Sequence, residues 1–386
     1  MATLDLRKVT TRYGKVTAIS ELDLSISDGE FFVILGPSGA GKTTTLKSVA
    51  GLVELDAGDV VIGGRSMDGV EPYHRNVAMA FESYALYPQK TVFENLASPL
   101  RSGRTGKYDK ADQERRIELV TTTLGINHLL KRFPRELSNG QRQRVALGRV
   151  LVRPADVYLL DEPLSHLDAK LRAAMRAELK QLGEMSKTTT LYVTHDYQEA
   201  LALGDRIAVL RHGELVQVGT PEQIWRAPVD TFVAKALGQP EINLIDAEVI
   251  DGSIKALGGV LNVPVPPGLP MVTGSQVRLG IRPRDLEVAR EGRGGAGWLQ
   301  LSGRVDLSER LGREVELSVR IGDREVIVLG SSEYSGTEGQ PVTLQVPSSD
   351  VHIFEPGDGE VDTLRLGALA RRSSADTSAT APAPSR

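Results

Sequence analysis

The 386-residue sequence contains no cysteine. That excludes disulfides, thiolate metal sites and cysteine nucleophiles, and it fits a reducing compartment. No apolar run approaches the roughly 20 residues a membrane helix needs. Any service to a membrane would therefore be that of a peripheral subunit. A basic excess is also missing: 46 Lys and Arg stand against 50 Asp and Glu, a formal net charge of -4. This argues against a nucleic-acid binder driven by bulk charge. The opening MATLDLRKVTTRYG alternates apolar residues with charges and does not read as a signal peptide. No cluster of His, Asp and Glu has zinc spacing, and no G-x-S-x-G occurs.

What is present is an ordinary globular composition, 40 % apolar and 25 % charged, in a chain long enough for two domains. Strand-like runs, TLDLRKV and LDLSIS, open the chain. FFVILG (31–36) is short and wholly apolar, the pattern of a strand buried on both faces of a parallel sheet. KTTTLKSVAGL then reads as a helix, and 94–152 as mostly helical. VYLLDE (157–162) and TLYVTHD (190–196) are two further buried strands, with the helical AKLRAAMRAELKQLGEM between them. RIAVLRHGELVQVG reads as a hairpin turning at HG. The character changes near 234–239. Short strands separated by glycine and proline follow, which predicts a small β-barrel of the OB-like kind. The organisation expected is a first domain over 1–235 with a helical subdomain at about 90–152, a β-rich domain over 236–368, and a disordered tail over 369–386.

GPSGAGKTT lies between a buried strand and a helix and fits G-x-x-x-x-G-K-[ST]. In such a loop, here Gly36, Pro37, Ser38, Gly39, Ala40 and Gly41, the glycines let backbone N–H groups turn inward around phosphate oxygens, and the helix start at Lys42, Thr43 and Thr44 adds a positive dipole end. Lys42 would reach the β- and γ-phosphates and Thr43 would ligate Mg²⁺. Asp161, at the end of VYLLDE, is placed to hold Mg²⁺ through its water shell. Glu162 points elsewhere, toward an attacking water, and is the candidate general base. His195 ends another strand and could hold the γ-phosphate or the water.

With those residues in place, LSNGQRQRVALGRVLVRPADVYLLDEPLSHLD resembles the signature segment and second nucleotide motif of ABC-transporter ATPases. Within that superfamily YALYP, the THD loop and GIRPRDLEV resemble the ATPase subunits of carbohydrate importers, the maltose and glycerol-3-phosphate uptake type. Polyamine and anion importers share part of this pattern. The fold implied is an α/β P-loop NTPase domain with a helical subdomain, followed by an all-β OB-like domain. The function implied is ATP hydrolysis with Mg²⁺, at the cytoplasmic face of a membrane, coupled to solute uptake. Implied partners are a second ATPase subunit packed head to tail, two transmembrane permease subunits and, indirectly, an extracytoplasmic solute-binding protein. Ser138, Asn139, Gly140 and Gln141 of the signature would act on the ATP of the opposite subunit, and Tyr13 would stack on adenine. A soluble ABC protein acting on ribosomes or DNA is the competing class; the single set of nucleotide motifs, the lack of heptads and the acidic charge argue against it. A regulatory protein with a vestigial ATPase is disfavoured by the intact Lys42, Asp161, Glu162 and His195.

Three positions depart from the family pattern. Glu82 stands where glutamine is usual; it keeps an oxygen for Mg²⁺ and catalysis but adds a charge and loses an N–H donor. Asn139 replaces a glycine, and asparagine tolerates a positive φ better than most residues. His166 in SHLD replaces a small or amide residue. Glu82 would perturb the site holding this chain's own ATP and Asn139 the site across the dimer, which raises the expectation of a paired, non-identical ATPase. Tyr84, Leu86 and Tyr87, behind Glu82, would line the groove that meets the permease.

Overall fold

The computed structural model describes residues 2–366 apart from 82–85, 102–107, 166, 267, 270, 290–296, 332–333, 335 and 358–360. Glu82, Tyr84, His166 and the tail from 369 onward therefore lie outside the described residues. The chain forms two compact units, Met1–Glu222 and Gln223–Arg386. The compositional shift expected at 235/236 falls within the second of these. The helix Thr231–Ala236 is tied into that unit, with the Thr231 N–H donating to the Thr363 carbonyl (3.0 Å).

The first unit is built on a six-stranded sheet whose strands run, from edge to edge, Glu214–Gly219, Arg206–Arg211, Phe31–Leu35, Thr189–Thr194, Val157–Asp161 and Val77–Ala80. All but the first are parallel to their neighbours. Every residue of Phe31–Leu35, Val157–Asp161 and Thr189–Thr194 is buried. A strand covered on both faces cannot alternate, so the continuous apolar runs seen in the sequence follow from its central position. Leu35 pairs with Thr194, and Asp161 with Val193. The segments that leave these strands, beginning at Gly36, Glu162 and His195, thus start side by side along one sheet edge. That edge is where open α/β sheets place ligands.

A second, antiparallel sheet contains Leu4–Tyr13, Val16–Ile26, Ala57–Ile62 and Arg65–Ser66. Its Leu4, Leu6, Ile19 and Leu22 share one apolar core with Phe32, Ile34, Leu159 and Leu191 of the parallel sheet and with Leu46 and Val49 of the helix Lys42–Ala50. The helical region holds Val92–Arg101, Lys110–Thr123 and Asn139–Leu151. Gly148 lets these helices approach: a Cβ there would lie 3.1 Å from Leu96 and 3.2 Å from Leu124. The hairpin at His212 and Gly213 forms as expected, with φ of 50 and 82 at its two central residues.

The second unit carries two five-stranded antiparallel sheets. Val249, Ile254 and Leu279 of one share a core with Leu301, Val305, Leu317, Val328 and Leu344 of the other. The strands Ser253–Ala256 and Glu287–Val288 were not anticipated from sequence. Arg282 is 2 % exposed. It donates to the carbonyls of Ala234, Leu237 and Trp225 and stacks 3.9 Å over the Trp225 ring. Among the described residues of the chain no helix is long and apolar enough to cross a membrane.

Candidate functional site

The loop 36–41 connects the strand Phe31–Leu35 to the helix Lys42–Ala50. Two of its glycines are fixed by space. A Cβ at Gly36 would lie 2.7 Å from the Leu210 carbonyl oxygen, and one at Gly41 would lie 2.5 Å from that of Ala18. Gly41 also has φ 98, a conformation that L side chains rarely adopt. Gly39 has φ 81 but open space around it. Pro37, Ser38 and Gly39 form the exposed crest, Ala40 is buried, and Thr44 lies in the first helical turn. No side chain caps that turn, so its N–H groups are available to an anion.

Lys42 is buried at 5 % exposure. Its Nζ donates to the carbonyls of Gly36 (2.8 Å) and Pro37 (3.0 Å) and lies 3.3 Å from Glu162 Oε1. The other carboxylate oxygen of Glu162, Oε2, is 2.7 Å from His195 Nδ1. Thr43 Oγ1 donates to Asp161 Oδ1 at 3.0 Å. Lys42, Thr43, Asp161, Glu162 and His195, chosen from three separate stretches of sequence, are therefore in direct contact. Glu162 has φ 43, a strain of about 1–3 kcal/mol for a non-glycine residue. Its N–H donates to the Val193 carbonyl, and its own carbonyl accepts from the N–H and Oγ of Ser165. Those bonds hold the strained backbone and aim the carboxylate at Lys42.

The residues fit a magnesium nucleotide. A hydroxyl and a carboxylate oxygen 3.0 Å apart, Thr43 Oγ1 and Asp161 Oδ1, are hard donors, and Mg²⁺ on a nucleotide takes one or two such groups beside phosphate and water. Among the described residues no cluster of three or more His, Cys, Asp and Glu could hold a metal alone. The site therefore suits a metal that arrives with phosphate.

The signature residues lie at another helix start. Ser138 caps Asn139–Leu151: its Oγ accepts from Gln141 N–H (3.3 Å), while Gln141 Oε1 accepts from Ser138 N–H (3.0 Å). The tolerance of positive φ expected to matter at Asn139 is not used. Asn139 is the first helical residue, outside the left-handed region, and its Oδ1 accepts from Arg142 Nη2 at 2.5 Å. A Cβ at Gly140 would lie 2.8 Å from Leu171, so this glycine seats the helix start against the segment after Asp168. Among the described residues no hydrogen bond or ion pair joins 138–141 to the loop 36–41. Tyr13 is 49 % exposed at a hairpin end, opposite Val16. Tyr87 is also exposed, with Lys90 Nζ 4.5 Å and Arg149 5.3 Å from its ring centroid, and its backbone is pinned by the buried Asn95.

Residues 19–165 match the ABC transporter family and residues 279–354 match the TOBE domain. The chain is 42 % identical over 372 residues to the trehalose/maltose import ATP-binding protein MalK of Thermococcus litoralis, covering 93 % of this chain and 99 % of that protein. The chain belongs to the ABC transporter family. It is 46 % identical over 289 residues to the sn-glycerol-3-phosphate import ATP-binding protein UgpC of Cereibacter sphaeroides, covering 75 % and 80 % respectively. Among solved structures, a dimeric bacterial ABC transporter cassette aligns with TM-score 0.52 and 29 % identity over 56 % of this chain and 98 % of that one. The first unit is thus an ABC ATPase, and the second carries an all-β TOBE domain after the helix Thr231–Ala236.

Sequence reasoning missed several members of this ABC site. Asp196 Oδ1 caps the helix Tyr197–Leu203 by accepting from Gln198 and Glu199 N–H. An acid directly before a helical pattern was its available signal. Glu199 is buried and accepts from Tyr192 Oη (2.8 Å) and from Oγ1 of Thr194 (2.7 Å), the residue before His195. Burial raises the Glu199 carboxyl above its ordinary range, opposed by those two hydrogen bonds. Gln143 Nε2 donates to the Pro163 carbonyl beside Glu162. No local signal in the sequence reveals either contact.

Proposed function

We propose that this ABC ATPase powers a membrane importer of a carbohydrate-type solute, a sugar, oligosaccharide, polyol or glycerol-3-phosphate. The relatives named for trehalose/maltose and sn-glycerol-3-phosphate import, each at least 40 % identical over the aligned residues, support that solute class. It works as a dimer on the cytoplasmic face of the membrane, beside two permease subunits fed by a solute-binding protein. The dimeric cassette supports the first of these statements.

The observation that carries the ATPase reading is the contact of Glu162 with both Lys42 and His195. ATP enters over the crest at Pro37, Ser38 and Gly39, its phosphates facing the N–H groups of Gly39, Gly41 and the first helical turn, Lys42 to Thr44. Lys42 leaves its carbonyl partners for the β- and γ-phosphate oxygens, which frees Glu162 Oε1 for water. A magnesium ion bound at Thr43 and Asp161 supplies positive charge against the phosphates as negative charge develops. The water oxygen bonds to the γ-phosphorus and the bridging P–O bond breaks. ADP leaves with that electron pair, and Glu162 takes the water proton. His195 fixes the orientation of the Glu162 carboxylate. Ser138, Asn139, Gly140 and Gln141 are proposed to cap the γ-phosphate held by the partner subunit, and Tyr13 to stack on adenine. Glu82 is proposed to sit beside the metal and the permease surface.

ATP turnover by the purified full chain tests the first part: wild type should hydrolyse ATP and Glu162→Gln should not. Equal rates would sink it. Co-purification from membranes, with identification of the permease and ligand screening of the binding protein, tests the solute. Recovery with a polyamine or inorganic-anion binding protein would overturn the carbohydrate assignment. The same preparation reports whether the second ATPase is this chain again or a non-identical partner.

A further inference from the structure

Around Glu162 and His195, hydrogen bonds and short chain segments together close a ring, and it passes through a residue that no nucleotide motif includes. Going forward along the chain, the Glu162 carbonyl accepts from Ser165 Oγ at 2.9 Å. The turn continues, with Leu167 N–H donating to the Leu164 carbonyl at 3.2 Å. The Leu167 carbonyl then accepts from Arg172 Nη2 at 3.1 Å. Arg172 Nη1 donates to Asp196 Oδ2 at 3.3 Å. His195 is the residue before Asp196, and its Nδ1 meets Glu162 Oε2 at 2.7 Å. The ring ends where it began.

Arg172 is anchored for this role. It lies in the first turn of the helix Ala169–Ser186, whose start is capped by Asp168 through Leu171 N–H (2.9 Å). Its third edge, Nε, lies 4.0 Å from Glu199 Oε1, the buried acid that also holds Thr194 and Tyr192. One planar guanidinium thus faces three groups at once: the turn after Glu162, the cap at Asp196 and the acid that holds Thr194, the residue before His195. A lysine ammonium is a compact charge without that fixed fork.

We propose that Arg172 is a positioning residue, which locks the turn following Glu162 to the loop carrying His195 and so keeps the two side chains in register for hydrolysis. This rests on Glu162 being the base, as proposed above. Arg172 acts through the Leu167 carbonyl and Asp196 rather than on the nucleotide itself. Its loss should slow the chemical step and leave ATP binding in place.

The test measures kcat and KM for ATP on the full chain and on Arg172→Ala, Arg172→Lys, Asp196→Asn and the double variant Arg172→Ala with Asp196→Asn. Asparagine keeps an oxygen for the helix cap at 196 and removes the charge facing Arg172. Small misplacements of catalytic groups cost up to about 100-fold, so kcat of Arg172→Ala should fall about 10- to 100-fold with KM within about twofold. Lysine should recover only part of the rate. The double variant should be no slower than Arg172→Ala alone, because both substitutions break one link. A kcat within about twofold of wild type for Arg172→Ala overturns the proposal, as do losses that multiply in the double variant. If Arg172→Ala does not fold, Arg172→Lys and Asp196→Asn decide: reduced kcat at unchanged KM supports the lock, and unchanged kcat overturns it. A wild-type chain as inert as Glu162→Gln overturns the underlying ATPase reading. An active wild type with an unaffected Arg172→Ala overturns only the role of Arg172.

Discussion

Lys42 Nζ and Glu162 Oε1 lie 3.3 Å apart, so the cation proposed to meet phosphate and the carboxylate proposed as base form an ion pair. Each is also held by a second set of partners, the Gly36 and Pro37 carbonyls for Lys42 and His195 for Glu162. Phosphate binding must exchange the first pair of contacts, and that exchange releases the carboxylate. Replacing Glu162 by glutamine removes the base but keeps the shape. Turnover should fall about 100-fold or more, the usual range for a general base. ATP affinity should hold or rise, because Lys42 no longer has to leave a carboxylate. Turnover assays paired with equilibrium nucleotide binding check this, and a variant that loses binding with activity contradicts it.

The two loop glycines at 39 and 41 separate space from strain. Both have positive φ, 81 and 98. Only Gly41 also faces a backbone oxygen, at 2.5 Å from where its Cβ would stand. Gly39→Ala should cost about 1 kcal/mol from backbone strain alone. Gly41→Ala must in addition displace either the loop or the strand Val16–Ile26, and it should abolish nucleotide binding. Titration with ATP and thermal unfolding of both variants measure the difference. Equal behaviour would mean that the loop moves freely away from Ala18.

Thr43 and Asp161 should set the metal requirement. Thr43→Val keeps the shape and deletes the hydroxyl that donates to Asp161 Oδ1. The magnesium concentration for half-maximal turnover should rise about tenfold or more, within the range expected when a metal contact is lost. Nucleotide binding without metal should change little. A magnesium titration of turnover that is unchanged in Thr43→Val removes this threonine from the metal's contacts.

These sites were unequally legible in the sequence, for physical reasons. FFVIL and VYLLD were readable because strands buried on both faces carry near-continuous apolar runs, with Asp161 only at the end. The loop GPSGAGKTT was readable because its spacing is dictated by a phosphate. Arg172, Glu199 and Gln143 were not. Arg172 meets Asp196 and Gln143 meets the Pro163 carbonyl across 24 and 20 residues of chain, while Glu199 meets Thr194 only five residues away, through a turn into a helix that no motif marks. The short strand Glu287–Val288 escaped because two residues carry no period. Asn139 was not legible as a helix start, because the glycine it replaces suggests a position of positive φ, whereas it begins the helix Asn139–Leu151.

Arg282, in the GIRPRD stretch that resembled the importer subfamily, serves the second unit. Its guanidinium is buried and bonded to the carbonyls of Ala234, Leu237 and Trp225. Arg282→Leu leaves those carbonyls without that donor, at about 1–3 kcal/mol for each buried group left unsatisfied. Both tryptophans, Trp225 and Trp298, belong to this unit. Tryptophan fluorescence of the full chain therefore follows its unfolding alone. The midpoint in urea should drop sharply in Arg282→Leu, and an unchanged midpoint would show that the cluster contributes nothing.

The same fluorescence reads a pH dependence that His352 should impose. Burial, with Arg282 and Arg365 adding like charge, lowers the His352 imidazole from 6.5 to about 4. The folded state then refuses a proton that the unfolded chain accepts below about pH 6.5. The stability due to a neutral buried His352 is complete above that pH and is lost as pH falls toward 4. The loss amounts to about 3 kcal/mol over the window. His352→Asn cannot titrate, so its stability curve should be flatter between pH 7 and about 4 by that amount. Urea unfolding across this range, for both chains, gives the two slopes. Parallel curves would assign the acid sensitivity to the carboxylates instead.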